Sequence, residues 1–300
     1  MPLISFTEML EAALRNKYAV GYFEAWNQDA LEAILSAGEE TDSPLIIGFG
    51  AMTVNRQWCD EWGLEYFAGI GQVAVAKSKV PVCFILNEAK TYEQSLRGVE
   101  LGFNVVMLDS SSLPFDENLK ITKELVEVAH VNDVAVEAEL GRLPEAGKDS
   151  AGVPTDPEEA TEFVRATQAD ALAVSIGNVH LSTEAEADIN LGLLRTIRER
   201  THVPLVLHGG SGFPPGLVRE CIDLGVAKFN VGTILKKEYY LGIQSSMRKE
   251  LEESQVQRIV GSREKGDFTY EAKKRVQEKV KDLLGLYNAA GKSKGGRLLP

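Results

Sequence analysis

Two histidines mark the most reactive positions of this sequence, because each follows a short apolar run. His180 comes after the run Ala171–Val174, and His208 ends the next one. The chain holds four histidines, and the other two, His130 and His202, fall at the ends of predicted helices. Imidazole nitrogens bind metals and move protons near neutral pH. A pair at the ends of neighbouring strands therefore favours a functional role over the more common structural one.

Carboxylates occupy similar positions elsewhere. Asp109 follows the run Val105–Leu108, and the period of two places Glu137 and Glu139 on one face of a predicted strand. A carboxylate at a buried strand end is costly unless it binds a metal, pairs with a cation or takes part in chemistry. The glycines after His208 would let backbone N–H groups approach an anion closely.

Eight β-rich runs alternate with amphipathic helical patterns along the chain. The predicted strands are Ala19–Phe23, Leu45–Phe49, Val80–Leu86, Val105–Leu108, Val134–Glu139, Ala171–Val174, Leu205–His208 and Phe229–Val231. The predicted helices include Asp29–Gly38, Tyr92–Leu101, Glu117–His130, Pro157–Thr167, Leu191–Arg200 and Pro215–Leu224. Near-continuous apolar strands indicate a parallel sheet buried on both faces. The count of eight favours an α/β fold of the closed (β/α)8 TIM barrel type over an open doubly wound sheet.

No linker or charged run divides the chain, so we predict a single domain. Residues 1–245 would form the barrel, and residues 246–300 a C-terminal helical extension that packs on it. The extension would contain a helix over Ala272–Leu284 and end in a flexible tail that begins near Gly291–Gly296. A barrel of this kind gathers its chemistry at the carboxyl ends of the strands, where the histidines and carboxylates lie.

Composition narrows the class of protein. The 300 residues are 44% hydrophobic, and 32 Lys and Arg against 44 Asp and Glu give a net charge of -12. This acidic balance argues against nucleic acid and anionic membranes as partners. The three cysteines have no metal-type or redox spacing, and the sequence shows neither a signal peptide nor an apolar run of roughly 18 residues. We therefore expect a soluble cytoplasmic protein.

Several segments together resemble one enzyme family. They are Phe103–Asp109, Leu113–Asn118, Val136–Arg142, His208–Gly212 and Val226–Thr233. The sequence is similar to the class II, metal-dependent ketose-bisphosphate aldolases, of the tagatose- and fructose-bisphosphate type. The resemblance implies a (β/α)8 barrel that forms homodimers or homotetramers. It also implies a divalent metal, normally zinc, which polarises the substrate carbonyl and stabilises an enediolate.

The resemblance also implies roles for particular residues. His180 and His208 match two of the family's three metal-binding histidines. Asp109 and Glu139 match carboxylates that can hold a displaced metal or a second ion. Residues of the last two strand ends match groups that contact the substrate: Gly209, Gly210 and Ser211 in a phosphate-binding loop, Asn230 at the hydroxyketone and Thr233 at the phosphate.

The chain departs from the family where the pattern calls for His-x-Asp-His at the end of strand three. In this chain, Asn87 and Glu88 occupy the last two positions of that motif. Asn87 replaces the aspartate that moves the proton, and an amide can hydrogen-bond a substrate but cannot transfer a proton near neutral pH. Glu88 replaces the third histidine. Two histidines with one carboxylate still suit zinc, manganese or iron(II), so Glu88 is a candidate ligand, the alternative being a solvated loop residue.

Other departures add acid around the substrate. Glu24 stands where the family has an amide, and Glu184 and Glu186 in the loop after strand six would repel a phosphate dianion. Lys148 and Lys236 are candidates for contacts with an anion, although a solvated surface lysine is the more common case. The pattern favours a site adapted to another substrate over one that has lost its activity.

We therefore predict a divalent-metal-dependent aldolase-type carbon–carbon lyase acting on a small hydroxyketone or ketose, with a phosphate optional. Zinc is the first choice of metal, with manganese, cobalt or iron(II) as alternatives. Asn87 would hydrogen-bond the carbohydrate-like substrate, and Glu24 or the strand-five carboxylate Glu139 would replace the catalytic base. Two other functions stay open: a metal-dependent sugar isomerase or epimerase that uses an enediolate, and a non-catalytic metabolite-binding barrel.

Overall fold

Eight parallel strands close into a barrel in the computed structural model, which describes residues 3–147, 152–184, 187–247 and 255–299. Each strand pairs with the next one along the chain, and the last pairs with the first. The strands are β1 (Val20–Ala25), β2 (Leu45–Gly50), β3 (Val82–Ala89), β4 (Val105–Leu108), β5 (Ala135–Leu140), β6 (Ala171–Val174), β7 (Leu205–Leu207) and β8 (Val226–Val231). The predicted (β/α)8 TIM barrel is confirmed.

Helices lie between the strands and cover the outside of the barrel. They are α1 (Phe6–Arg15), α2 (Gln28–Glu40), α3 (Arg56–Trp58), α4 (Leu64–Lys77), α5 (Tyr92–Glu100), α6 (Phe115–Val131), α7 (Pro157–Thr167), α8 (Leu191–Arg200), α9 (Val218–Asp223), α10 (Thr233–Met247), α11 (Val256–Ile259) and α12 (Tyr270–Leu286). Side-chain caps fix several starts: Asn27 accepts from the Ala30 amide, and Asp156 accepts from the Glu158 and Glu159 amides. None of the helices in these ranges is long and apolar enough to cross a bilayer.

Burial explains why the strands read as continuous apolar runs. Every residue of β2, β3 and β8 is buried, since one face meets the barrel interior and the other meets helices. Along β8 the alternate residues Lys228 and Asn230 point into the barrel, as their contacts with other interior side chains show. The interior therefore contains a polar layer beneath the carboxyl ends of the strands.

Three predicted boundaries differ from the structure in ways that matter for the site. Strand β3 continues past Leu86 to Ala89, so Asn87 and Glu88 belong to the strand rather than to the following loop. Strand β8 begins at Val226, which makes Lys228 an interior strand residue. The predicted helix Pro215–Leu224 is instead a 3-10 turn followed by α9, because the proline pair restricts the start to a tighter turn.

The chain after residue 246 contacts the barrel through α12. Its buried residues recur every fourth position, at Ala272, Val276, Val280 and Leu284, and pack towards α2 and α10. The ring of Tyr287 then stacks on Phe229 of β8 with centroids 4.8 Å apart. The Gly291–Gly296 stretch, predicted as a flexible tail, leads into and turns an antiparallel pair of short strands, β9 (Ser293–Lys294) and β10 (Arg297–Leu298).

Candidate active site and metal centre

An irregularity at the end of β3 brings two consecutive side chains into the barrel mouth. The β3–β4 register shifts between Leu86 and Ala89, and Glu88 has a positive φ of 51°. Successive residues of a regular strand point to opposite faces, whereas a bulge can turn both to one side. Asn87 and Glu88 accordingly line the same cavity. A left-handed backbone at a buried glutamate is strained, which is characteristic of functional sites.

Glu88 meets both strand-end histidines in this cavity. Its Oε1 lies 3.0 Å from His208 Nδ1 and 3.7 Å from His180 Nε2, and the two imidazole rings stack with centroids 5.6 Å apart. One donor atom from each of the three residues lies within 4.8 Å of the others. Two imidazoles and a carboxylate are a common donor set for zinc and other divalent ions. The residues present therefore fit a divalent metal.

The opposite ring nitrogen of His208 is held from below by Glu137. His208 Nε2 donates to Glu137 Oε1 at 2.9 Å, and Lys228 Nζ lies 2.7 Å from Glu137 Oε2. All three side chains are almost fully buried. Lys228 also donates to Asn230 Oδ1 at 2.5 Å, and Asn230 Nδ2 donates to Asn87 Oδ1 at 3.3 Å. This chain of contacts fixes the orientation of His208, as carboxylates behind metal-binding histidines do.

Burial and neighbouring charged side chains together set the protonation states of His208, Glu88 and His180. Burial disfavours the imidazolium of His208, but hydrogen bonds to Glu137 and Glu88 outweigh burial and raise its pKa to about 10. Burial likewise disfavours the Glu88 carboxylate, yet His208 and His180 hold its pKa low, at about 2. Burial lowers the pKa of His180, which leaves its imidazole neutral and able to donate a lone pair. A metal that binds His208 Nδ1 must therefore displace a proton.

Glu139 and Asp109 lie at neighbouring strand ends but outside the three-residue cluster. The Glu139 carboxyl is buried in β5, and desolvation, with Asp109 and the other nearby acids, raises its pKa to about 8. Asp109 follows β4 and accepts a hydrogen bond from Ser111 Oγ at 3.0 Å. Both carboxylates interact electrostatically with the cluster, since each affects the titration of a histidine in it.

A second polar group occupies the β1–β8 side of the cavity. Lys236 Nζ donates to Glu24 Oε1 at 2.7 Å and to Thr53 Oγ1 at 3.0 Å, and Thr53 Oγ1 donates to Glu24 Oε1 at 3.2 Å. A Cβ atom at Gly232 would lie 2.0 Å from Glu24 Oε2, so a larger residue there would require the Glu24 carboxylate to move from this position. Glu24 and Lys236 thus form a clamped ion pair at the cavity wall. Lys148 lies outside the described residues, as does Glu186.

The glycine-rich turn after β7, at residues 209–212, forms another part of the cavity wall. Gly209 has a φ of 73°, a conformation that glycine adopts without strain, and the 3-10 turn Gly210–Gly212 follows it. Ser211 Oγ accepts a hydrogen bond from the Ile234 amide at 3.1 Å, which links this turn to the first turn of α10. The predicted substrate contacts Gly209, Ser211, Asn230 and Thr233 line one cavity together with Glu24, Glu88 and both histidines.

The sequence prediction missed the buried layer under the metal centre. The period of two puts Glu137 on the face of Glu139 but assigns it no role, and the sequence pattern assigns none to Lys228 or Tyr22. A lysine within the apolar run Val226–Val231, two positions before Asn230, was the available signal, because the period of two turns both inward. Tyr22 also points inward, with Lys228 Nζ 5.0 Å from its ring centroid.

The protein is a closed (β/α)8 barrel with a histidine–carboxylate cluster at the carboxyl ends of its strands. Enzymes with this fold have their active sites at that end. The family of class II fructose-bisphosphate aldolases matches residues 4–292. The chain therefore belongs to the class II fructose-bisphosphate aldolase family, which confirms the resemblance and supports an aldolase-type lyase with a small-molecule substrate. The family typically depends on a divalent metal.

Individual relatives agree with this assignment. A fructose-bisphosphate aldolase of Geobacillus stearothermophilus is 35% identical over 87% of this chain and 91% of its own length. A probable fructose-bisphosphate aldolase of Bacillus subtilis is 37% identical over 78% of this chain and 82% of its own. Among solved structures, the YdjI aldolase from Escherichia coli K12 superposes with a TM-score of 0.82 at 29% identity, covering 97% of this chain and all of that one.

Proposed function

We propose that the protein is a divalent-metal-dependent aldolase that cleaves a carbon–carbon bond of a small hydroxyketone or ketose. The observation that supports this most strongly is the convergence of Glu88, His180 and His208 at the barrel mouth, with their donor atoms within 4.8 Å of one another. Zinc suits this set of two nitrogens and one oxygen, and manganese, cobalt or iron(II) are the alternatives. Asp109 is the candidate for holding a displaced or second ion.

Each residue of the cavity has a task in this proposal. A divalent ion, when bound by Glu88, His180 and His208, would supply Lewis-acid polarisation of the substrate carbonyl. Asn230 Nδ2 donates to Asn87 Oδ1 at 3.3 Å and both side chains line the cavity, so their amides can orient the substrate hydroxyl and carbonyl oxygens. Glu137 keeps the His208 Nε2 proton in place and so fixes the ring that presents Nδ1.

Proton transfer requires a residue other than Asn87, whose amide does not titrate. Glu139 is our choice, because it is buried near the cluster and its pKa is raised to about 8, close to neutral pH. Glu24 is the other carboxylate at the mouth. Burial raises its pKa above the ordinary value, the ion pair with Lys236 and the hydrogen bond from Thr53 oppose this shift, and both groups hold its Oε1 in a fixed position. We therefore assign Glu24 to substrate binding rather than to proton transfer.

Product analysis tests the proposal. Zinc-reconstituted protein would be incubated with free ketoses, ketose phosphates and ketonic sugar acids, and the mixtures followed by ¹H NMR. An aldolase yields two fragments from one of these substrates, and EDTA abolishes the reaction. An isomerase or epimerase gives a single rearranged product. A metabolite-binding barrel gives a thermal shift that survives EDTA and no product. Either of the latter two results contradicts the proposal.

A further inference from the structure

We propose that Tyr22 is a further catalytic residue, whose phenol O–H donates a hydrogen bond to the substrate oxygen that gains negative charge as the carbon–carbon bond breaks. This role rests on the proposed function, because it belongs to the same site and the same reaction. Tyr22 lies in β1, lines the cavity and is 2% exposed. Its hydroxyl is buried and has no hydrogen-bond partner among the residues that the structure describes.

The pairing of β1 with β8 turns Tyr22 into the barrel. Tyr22 is the register partner of Asn230, and side chains at paired positions of a sheet point to the same face. Asn230 points inward, as its contact with Lys228 shows. Glu24, two positions after Tyr22, shares that face because of the period of two. The phenol therefore lies one layer deeper than Glu24, beneath the cavity mouth.

Lys228 holds the ring of Tyr22 and leaves its hydroxyl free. Lys228 Nζ lies over the ring, 5.0 Å from its centroid, and is itself bonded to Glu137 Oε2 at 2.7 Å and to Asn230 Oδ1 at 2.5 Å. A buried hydroxyl without a partner destabilises a fold, because it has lost its hydrogen bonds to water. A substrate oxygen that accepts from Tyr22 would remove this cost and would meet a donor already in position.

The surroundings of Tyr22 keep its phenol protonated. Burial, together with the charges of Glu24, Glu88 and Glu137, raises the pKa of Tyr22 well above the ordinary value of 10.0. The phenolate is therefore disfavoured at neutral pH, and Tyr22 donates a hydrogen bond without giving up its proton. Proton transfer stays with Glu139 in the proposed reaction, so the two residues have separate tasks.

Two neighbouring donors are already engaged within the protein. Thr53 Oγ1 donates to Glu24 Oε1 at 3.2 Å, and Asn230 Nδ2 donates to Asn87 Oδ1 at 3.3 Å. In the described part of the chain, Tyr22 is the one cavity-lining residue with a buried side-chain donor that has no partner. An oxygen that becomes negative in a cavity lined by carboxylates needs such a donor, because the carboxylates themselves repel it.

Tyr22→Phe tests the hydroxyl alone, because phenylalanine keeps the ring over Lys228. Tyr18→Phe is the matched control. The Tyr18 hydroxyl is likewise buried without a partner in the described ranges, but Tyr18 precedes β1, at the end of the strand opposite the mouth. With the ketose that the zinc-loaded wild type cleaves, the kcat of Tyr22→Phe should fall at least about tenfold, with KM changed by less than about twofold. Tyr18→Phe should keep both constants within about twofold of the wild type.

Binding of glycolohydroxamate, a planar mimic of an enediolate, supplies a measurement without turnover. Calorimetric titration of zinc-loaded protein should give an affinity at least about tenfold weaker for Tyr22→Phe than for the wild type, and an unchanged affinity for Tyr18→Phe. In EDTA-treated samples, neither variant should unfold at a lower urea concentration than the wild type, because each loses a hydroxyl that has no partner in the described structure.

Tyr22 has no catalytic role if Tyr22→Phe matches Tyr18→Phe in kcat or in hydroxamate affinity. It has a structural role instead if Tyr22→Phe alone unfolds at a lower urea concentration, because its hydroxyl then supports the fold. Cleavage of a ketose with equal kcat in the two variants overturns only the role of Tyr22. Weaker hydroxamate binding by Tyr22→Phe, without cleavage of any ketose by the wild type, overturns only the aldolase proposal.

Discussion

Two networks of charged side chains differ in burial and in what they stabilise. The interior network joins Glu88, His208, Glu137 and Lys228 under the barrel mouth, and Lys228 and Glu137 are completely buried. The seam network joins Glu32 of α2 to Arg263 and to Lys273 of α12 on the outside, where Glu32 and Arg263 are 37% and 45% exposed. The first lies where chemistry is expected, and the second connects the barrel to the chain beyond residue 246.

The difference in burial predicts how each network affects the stability of the fold. Exposed ion pairs contribute about 0–1 kcal/mol, and apolar packing along α12 can hold the extension without them. Buried charges cost several kcal/mol each to desolvate, and their mutual attraction offsets that cost only when every partner is present. Replacement of a buried ion pair by hydrophobic residues is often neutral or stabilising. We therefore expect the interior network to serve the orientation and charge of His208 rather than the stability of the fold.

The largest effect should follow from His208→Ala. The variant removes one of three candidate metal ligands, so aldol cleavage by zinc-loaded protein should fall by more than about a thousandfold. His202→Ala is the matched control, because His202 is exposed at the far side of β7 from the mouth. Unchanged cleavage by His208→Ala would show that this histidine has no part in the reaction.

Glu137→Gln tests the support behind the metal ligand. Zinc affinity should weaken about 10–100-fold, because His208 loses the carboxylate that fixes its ring. The free energy of unfolding should fall by about 3–5 kcal/mol, because Lys228 is left buried without its anion. Urea denaturation and competition with a zinc chelator measure the two quantities.

Two further variants separate these effects. Glu137→Gln combined with Lys228→Met removes both buried charges and should recover part of the stability but none of the zinc affinity. Glu199→Gln, at an exposed position of α8, should change neither. Equal losses in Glu137→Gln and Glu199→Gln would mean that the interior network is no more important than a surface carboxylate.

Glu32→Gln probes the seam network. Loss of its pairs with Arg263 and Lys273 should lower the free energy of unfolding by less than about 1 kcal/mol and leave zinc affinity unchanged. Urea denaturation of wild type and variant at low ionic strength gives the comparison. A loss as large as that of Glu137→Gln would remove the distinction between the two networks.

The pH dependence of the seam should be small and confined to acid. Burial of Glu32 opposes ionisation, but hydrogen bonds from Lys273 and Arg263 outweigh it and lower its pKa from the ordinary 4.5. Since its pKa is lower in the folded chain than in the unfolded one, ionised Glu32 stabilises the fold above pH 4.5, and this contribution is lost as the pH falls through the folded-state pKa. Thermal melts from pH 6 to 3 should therefore bring wild type and Glu32→Gln together, and a constant difference would contradict this.

The barrel and the two strand-end histidines could be predicted from the sequence, because the signals for them are local. Runs such as Ala171–Val174 and caps such as Asp156 are local signals, so β6 and α7 begin and end where predicted. The positions of His180 and His208 at the ends of adjacent predicted strands singled them out, and the family resemblance added their predicted metal-binding role. The bulge at Glu88 could not be predicted, because a register shift depends on pairing with a distant strand.

The interior and wall contacts escaped prediction for a related reason. Glu137 and Lys228 are 91 residues apart in the chain, and only barrel closure brings them within 2.7 Å. The sequence alone marks Glu24 as an unusual acid, but its ion pair with Lys236 and the space beside Gly232 bring together opposite ends of the barrel sequence. The candidate roles of all the site residues stay predictions, from the metal ligands Glu88, His180 and His208 to the substrate contacts, as does the oligomeric state.

Metal content measured by inductively coupled plasma mass spectrometry tests the central claim most directly. Protein reconstituted with zinc and freed of excess ion by gel filtration should retain about one zinc per chain, as should His202→Ala, while His208→Ala and Glu88→Gln should retain far less. Retention of no divalent metal by the wild type, or equal retention by all four proteins, would contradict a metal centre at Glu88, His180 and His208.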